Sequence, residues 1–344
     1  MKTLIVDKEG VLSVLEIPMP TYTSKQALVK MISCGMCGTD AHLIEGKFKG
    51  VPKDMYPVML GHEGVGEVVE VGSEVTSYKK GDIVLLPFLD PEPSFGDIGS
   101  AWGAYSEYGV VHDQKAYSKG EEPECAFGQN LVPEDIDPVD AAMMITFREV
   151  LSNIKYFGIK KGEPIVVYGC GPVGLTFIKF MSLLGVHPVI AVARNKEKQE
   201  NALKNGADIA LNSSECDVCE EVHKIYPDGV PYVLDAVGSP DVINEGMKLI
   251  CDRGEVLCYG VPKTEQITID FSRAPYNWKL NFQQFPRKDE EALAYQQILT
   301  WLRNGDIKFE DYISNYYEFD DILQAFEDYG NKKILKKGII KYKR

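Results

Sequence analysis

Apolar residues recur along this chain in two rhythms, and the rhythm changes near Pro164. Residues 64–72, GVGEVVEVG, alternate apolar and polar with a period near two, which predicts a half-buried strand. Lys80-Gly81-Asp82 reads as a turn before an apolar strand at 83–86. Up to about residue 150 the chain continues as short β-segments punctuated by Gly and Pro. Beyond that point the strands are continuously apolar, as in a parallel sheet buried on both faces: 164–168, then 189–193, 232–235 and 255–259. Helix-length segments lie between them, at 172–184 and at 197–205, the latter ended by Gly206. This alternation predicts a doubly wound α/β domain over 151–285. Amphipathic helices at 290–303 and 320–329 and a last strand at 338–342 follow. They are expected to rejoin the β-rich start, so that 1–150 and 286–344 form one discontinuous domain.

Length agrees with that division, because 344 residues exceed one ordinary core and suggest about two domains of ~150 residues. A hydrophobic content of 44% with 26% charged residues is that of a soluble globular chain. The net charge of −14 would repel a polyanion, which argues against a nucleic-acid partner. Lys2, Asp7, Lys8 and Glu9 interrupt the start too early for a signal peptide, and no apolar run is long enough to span a bilayer. Eight scattered cysteines do not form a disulfide scaffold, so the expected compartment is the reducing cytoplasm, with no membrane partner.

Gly169-Cys170-Gly171-Pro172-Val173-Gly174 follows a predicted strand and opens a predicted helix. In that context G-x-G-x-x-G is a dinucleotide fingerprint. The first glycine permits the tight turn, the second lets the backbone approach a pyrophosphate, and the third packs helix on strand. The competing reading is a glycine-rich strand–helix turn that holds no nucleotide. An NAD site places a carboxylate at the end of the next strand to accept the ribose 2′-OH. Here that strand ends in Ala193, followed by Arg194. A guanidinium in place of a carboxylate suits a 2′-phosphate and predicts NADP(H) over NAD(H). The alternative is an exposed loop arginine.

The segment KMISCGMCGTDAH, residues 30–42, places Cys34 and Cys37 at C-x-x-C spacing, with Thr39, Asp40 and His42 close behind. A redox dithiol or a zinc ribbon are the ordinary readings of that spacing. Taken with Gly61-His62-Glu63, the set offers thiolate, imidazole and carboxylate, a donor combination suited to a zinc with an exchangeable position. G-x-C-G-T-D-x-H, G-H-E-x-x-G, K-x-G-D, G-x-G-P-V-G-L and D-A-V-G-S at 235–239 together resemble the medium-chain, zinc-dependent alcohol/polyol dehydrogenase family. The resemblance implies a GroES-like catalytic domain beside a Rossmann cofactor domain. It makes Cys37 and His62 zinc ligands, Glu63 a direct or alternating ligand, Thr39 and His42 a proton relay, and Asp40 the carboxylate that orients the imidazole. Val237 and Gly260 join Gly169, Gly171, Pro172, Val173, Gly174, Ala193 and Arg194 as expected cofactor contacts. Cys34 is then a buried strand residue.

Two departures stand out. Residues 89–97, where many members carry a four-cysteine structural-zinc lobe, contain no cysteine, so one zinc is expected rather than two. The position of a further catalytic ligand, after Ala141-Ala142, holds Ile145, which cannot bind zinc. Glu149, one helical turn on, is either its substitute or a helix surface charge. Cys216-x-x-Cys219 reads as structurally inert. The resemblance implies hydride transfer between the cofactor and a secondary alcohol or ketone of a polyol or sugar-like substrate, in a homodimer or homotetramer. A metal-free quinone or enone reductase, and a non-catalytic nucleotide-binding protein, remain the alternatives. Phe48, Tyr56, Phe88, Trp102 and Phe285 are candidate pocket walls.

Overall fold

The computed structural model describes residues 1–262, 264 and 266–343. The chain folds as two compact units: Met1–Arg148 with Arg287–Arg344, and Glu149–Pro286.

In the first unit, a mixed six-stranded sheet is built around the long strand Gln26–Gly35. That strand pairs antiparallel with Gly64–Val71, with Tyr108–His112 and with the C-terminal strand Lys337–Lys341. A second sheet runs in the order Leu12–Glu16, Lys2–Val6, Val58–Met59, Gly99–Ser100. Leu4, Met31, Leu43, Leu60, Ile322 and Ile340 meet in the core, so both ends of the chain pack together. The helix Lys288–Asn304 closes on Gly305 at φ 74°, a left-handed cap that glycine adopts without a Cβ clash. The helix Gly38–Ile44 begins at Cys37, whose backbone N–H donates to Asp40 Oδ2 at 3.0 Å.

The second unit is one parallel sheet. From edge to edge its strands are Ile209–Asn212, Val189–Ala193, Ile165–Tyr168, Val230–Asp235, Ile250–Cys258 and Lys279–Phe282. In chain order this is 3-2-1-4-5-6, the doubly wound arrangement, with the strand order reversing at Ile165–Tyr168. The glycine turn leaves from that central strand. Pro172 and Pro240 each occupy the first turn of a helix, where a missing N–H is harmless. The edge strand Lys279–Phe282 and the helices Val218–Ile225 and Pro240–Leu249 escaped the reading of the sequence; all three are short, and the two helices nonetheless bury one apolar face, with Val218 and Val222 on the first and Val242, Ile243, Met247 and Leu249 on the second.

The cysteine-free stretch 89–97 is secured by other means. Leu89 and Phe95 pack with Ile5, Ile17 and Met59 in a separate small core. Glu92 accepts from the Thr21 backbone N–H at 3.1 Å and from its hydroxyl at 2.7 Å. Among the described residues no helix is long and apolar enough to cross a membrane.

Phe95 is 4% exposed and anchors this loop through apolar burial. Phe95→Ala is expected to destabilise the chain by about 3–5 kcal/mol, the usual result of emptying a buried aromatic site. Chemical denaturation read by circular dichroism checks this, with the same loss expected in the presence and absence of chelator.

Candidate metal centre and cofactor turn

The first-unit site is assembled from four stretches of chain. Cys37 precedes a short helix, His62 and Glu63 precede the strand Gly64–Val71, Thr146 lies on the helix Met143–Phe157, and Lys337 opens the last strand. The donor atoms of Cys37, His62 and Glu63 all lie within 4.8 Å of one another, and no other trio of His, Cys or acidic donors does so among the described residues. Sulfur, nitrogen and oxygen converging in this way match what zinc accepts.

The surroundings of His62 support the same reading. Asp40 is fully buried and presents Oδ1 3.6 Å from His62 Nδ1. Its other oxygen accepts from the Cys37 backbone N–H at 3.0 Å and from the Tyr105 hydroxyl at 2.9 Å. Burial raises the Asp40 carboxyl above its ordinary pKa, and His62, the Cys37 N–H and Tyr105 oppose that rise. A carboxylate facing one ring nitrogen orients the imidazole and leaves the other nitrogen for a metal. The residues present therefore fit a zinc ion.

Thr39 Oγ1 lies 3.8 Å from Cys37 Sγ, and His42 follows on the same helix, 9% exposed. Cys34 is fully buried within its strand, and burial holds its thiol well above the ordinary value, so it is a core residue. Glu149, expected as a further ligand, is not among the converging donors. The helix meets the cluster through Thr146, whose hydroxyl donates to Glu63 Oε1 at 3.2 Å, while Glu149 lies a further turn along and belongs to the second compact unit. Ile145 is buried at 3% exposure.

No motif singles out Lys337, whose Nζ lies 2.7 Å from both Glu63 oxygens. A lysine near a C-terminus reads as a surface charge, and only the sheet register carries it inward. Burial alone would lower the Lys337 ammonium's pKa, but Glu63 and Cys37 hold it above the ordinary value. Tyr329 was missed as well. Its hydroxyl is pushed up to about 12 by burial and by the charges of Cys37 and Asp40.

Of the candidate pocket walls, Trp102 stands beside His62, and Phe48 packs against Trp102. The Trp102 ring lies 5.2 Å from the imidazole and 5.8 Å from the Phe48 ring. Trp102 adopts φ 71°, a left-handed conformation costly for a bulky residue and typical of side chains held for function. Tyr56 instead belongs to the core, donating its hydroxyl to Leu43 O at 2.6 Å. Phe285 is exposed in the second unit.

In the second unit, Gly169 sits at φ 105°, and a Cβ there would come within 2.9 Å of Val237 Cγ2. At Gly174 a Cβ would collide with the Gly169 carbonyl, the close packing expected of the third fingerprint glycine. Gly171 caps the helix Pro172–Leu183, and nothing lies within 4 Å of where its Cβ would stand. Open space beside a helix N-terminus is what a pyrophosphate needs. Gly238 and Gly260 pack against each other so closely that neither position admits a side chain. Asp235, at the end of the preceding strand, accepts from the N–H groups of Val237, Gly238 and Ser239, which braces the loop, and Val237 is exposed. Ala193 ends its strand at 3% exposure, and the exposed Arg194 follows. The hydroxyls of Ser213 and Ser214 donate to the carbonyls of Ala193 and Arg194 at 3.3 and 3.0 Å, which steadies that corner. Cys216 and Cys219 are free thiols; Cys216 precedes the helix Val218–Ile225, which Asp217 caps, and Cys219 lies on it with its pKa raised to about 11 by burial.

Residues 23–121 match the family model described as alcohol dehydrogenase GroES-like domain, and residues 172–296 match that described as zinc-binding dehydrogenase. The chain is 27% identical to (R,R)-butanediol dehydrogenase of Bacillus subtilis over 265 residues, 71% of this chain and 73% of the relative. Its fold is shared with an alcohol dehydrogenase from Escherichia coli complexed with cofactor NADH, at TM-score 0.79, 23% identity and 99% coverage of each chain. It is shared equally with a zinc-binding dehydrogenase from Sinorhizobium meliloti bound to NADP, at TM-score 0.78, 24% identity and 99% coverage of each. With a GroES-like domain model and a zinc-binding dehydrogenase model matched in succession, the chain belongs to the zinc-type medium-chain alcohol and polyol dehydrogenase family.

Proposed function

We propose that this alcohol-dehydrogenase-type oxidoreductase transfers hydride between NADP(H) and a secondary alcohol or ketone of a polyol or sugar-like substrate, using one zinc ion. The observation that carries the reading is the convergence of Cys37, His62 and Glu63 within 4.8 Å. Zinc, when bound, supplies Lewis acidity toward the substrate oxygen and lowers the pKa of an alcohol. Cys37 and His62 would hold it, with Glu63 beside them. Asp40 keeps the His62 ring in its ligating orientation. Thr39 and His42 would pass the hydroxyl proton toward solvent, the threonine as the first acceptor and the histidine as the base behind it. Trp102 and Phe48 offer an apolar wall beside His62 against which the substrate's carbon skeleton can rest. The polyol preference draws support from the butanediol dehydrogenase relative.

The NADP preference rests on one ribose. Ala193 brings no carboxylate to repel a 2′-phosphate, and the guanidinium of the exposed Arg194 that follows it suits one. We assign the chain to the cytoplasm, where its eight free thiols would stay reduced. We also assign it a homo-oligomeric state, formed through the edge strand Lys279–Phe282, on which Phe282 is exposed.

Purified protein is expected to carry about one zinc per chain. Cys37→Ser should lose metal and activity together while keeping its far-UV circular dichroism, because deleting one of so few ligands weakens binding strongly. Mass-spectrometric metal analysis with a polyol and ketose panel checks this, and an active metal-free protein would sink the zinc reading.

Charge-assisted bonds to the 2′-phosphate, each about 1.5–3 kcal/mol, should give a preference for NADP over NAD of roughly tenfold to a hundredfold. The pair Ala193→Asp with Arg194→Ile should reverse that preference, since the new carboxylate can accept the free 2′-OH. Steady-state kcat/KM with both cofactors decides the matter, and a wild-type preference for NAD left unchanged in the double variant would remove Arg194 from the site.

A further inference from the structure

Glu63 has two claimants. One of its oxygens lies within 4.8 Å of the donors on Cys37 and His62, where a metal would draw on it. Both of its oxygens are also bonded to Lys337 Nζ at 2.7 Å, and Thr146 donates to Oε1 at 3.2 Å. The pair is sealed from water, with Lys337 at 3% and Glu63 at 1% exposure. Gly35 makes the room, since a Cβ there would collide with Glu63 Oε2. A carboxylate whose two oxygens both point at one ammonium is not turned toward a metal. To ligate, it has to give up at least part of the Lys337 pair.

From this competition we infer that Lys337 is a positioning residue for the metal centre. It holds Glu63 as an uncoordinated counter-charge and leaves ligation to Cys37 and His62 with exchangeable positions between them. The inference rests on the reading of a zinc held by those two residues and adds the element that decides its coordination. Two consequences follow by thermodynamic linkage. The ion pair withholds Glu63 from the metal, so Lys337 lowers metal affinity. It also neutralises a buried carboxylate in the metal-free protein, so Lys337 makes the fold independent of metal. Without the ammonium, Glu63 would be a buried, uncompensated charge, a strongly destabilising state that a bound cation relieves.

The test compares wild type with Lys337→Met, Lys337→Arg, and the double variant Lys337→Met with Glu63→Gln. Zinc affinity is read by competition with a chromogenic chelator, and thermal midpoints are taken on metal-stripped and zinc-loaded protein. Lys337→Met should bind zinc about tenfold tighter or more, and its stripped midpoint should fall while the rise on adding zinc grows. Cobalt substituted for zinc should show altered d–d bands in this variant as Glu63 enters coordination. Lys337→Arg should keep the wild-type values, and the double variant should return both quantities toward wild type. An unchanged affinity and zinc-induced shift in Lys337→Met would overturn the inference, as would equal changes in the double variant. If Lys337→Met fails to fold, a folded double variant supports the inference and an unfolded one overturns it. Failure of wild type to bind zinc would instead strike at the metal reading, which separates the two outcomes.

Discussion

The first unit is organised around one buried negative charge. Glu63 lies between residues supplied by distant parts of the sequence: Gly35 on the long strand, Thr146 on a later helix and Lys337 at the start of the last strand. An unpaired carboxylate at this depth would be costly enough to drive the group toward its neutral form. The ammonium that offsets it is 274 positions away in sequence, so the charge can be satisfied only once the C-terminal strand has paired with Gln26–Gly35. That pairing aligns Ile339 with Gly35 and Ile340 with Cys34, which delivers Lys337 to the end of the sheet where Glu63 stands. Electrostatics and strand register thus impose the same requirement on the discontinuous unit.

The chemistry of the site grows from the same ground. Cys37 and His62 emerge at the ends of elements that the sheet holds rigid, and Asp40 is locked by Tyr105 and by the Cys37 N–H before it faces the imidazole. Hydrogen bonds within the protein brace this corner of the site. Such preorganisation lets a catalytic metal keep a labile position, whereas a structural zinc supplies the folding energy of its own site. The loop 89–97 makes the same point from the other direction. Its anchorage is apolar, through Phe95 and Leu89, where many relatives by resemblance use four cysteines.

The second unit solves a different problem, the approach of phosphate to backbone. Gly169 takes a left-handed turn against Val237, Gly174 lets the helix lie on the strand, and Gly171 leaves open space at the helix N-terminus. Because Ile165–Tyr168 is the strand at which the order of the sheet reverses, the helices on either side diverge there and leave a crevice. Ala193 ends the neighbouring strand, and the exposed Arg194 follows it.

Much of this was legible in the sequence, because it depends on local rules. Continuous apolar runs of four or five residues followed by glycine marked the parallel strands, and G-x-G-x-x-G marked the turn, since backbone conformation is dictated within a few residues. Cys37, His62 and Glu63 stood out because their spacing forms motifs, and the folded chain brings these three together. What the sequence could not disclose is partnership across distance. Glu149 looked like a ligand because it follows Ile145 by one turn, yet the helix meets the cluster through Thr146, and which residues of a helix face a neighbour is set by packing rather than by spacing. Lys337, Tyr105 and Tyr329 lie in no motif that would single them out. Their place beside the converging donors follows from sheet register and side-chain burial, which are properties of the closed tertiary structure. The sequence by itself determined which groups could do chemistry; the tertiary structure decided which of them meet, because burying Glu63 demanded a cation that only the folded chain could bring.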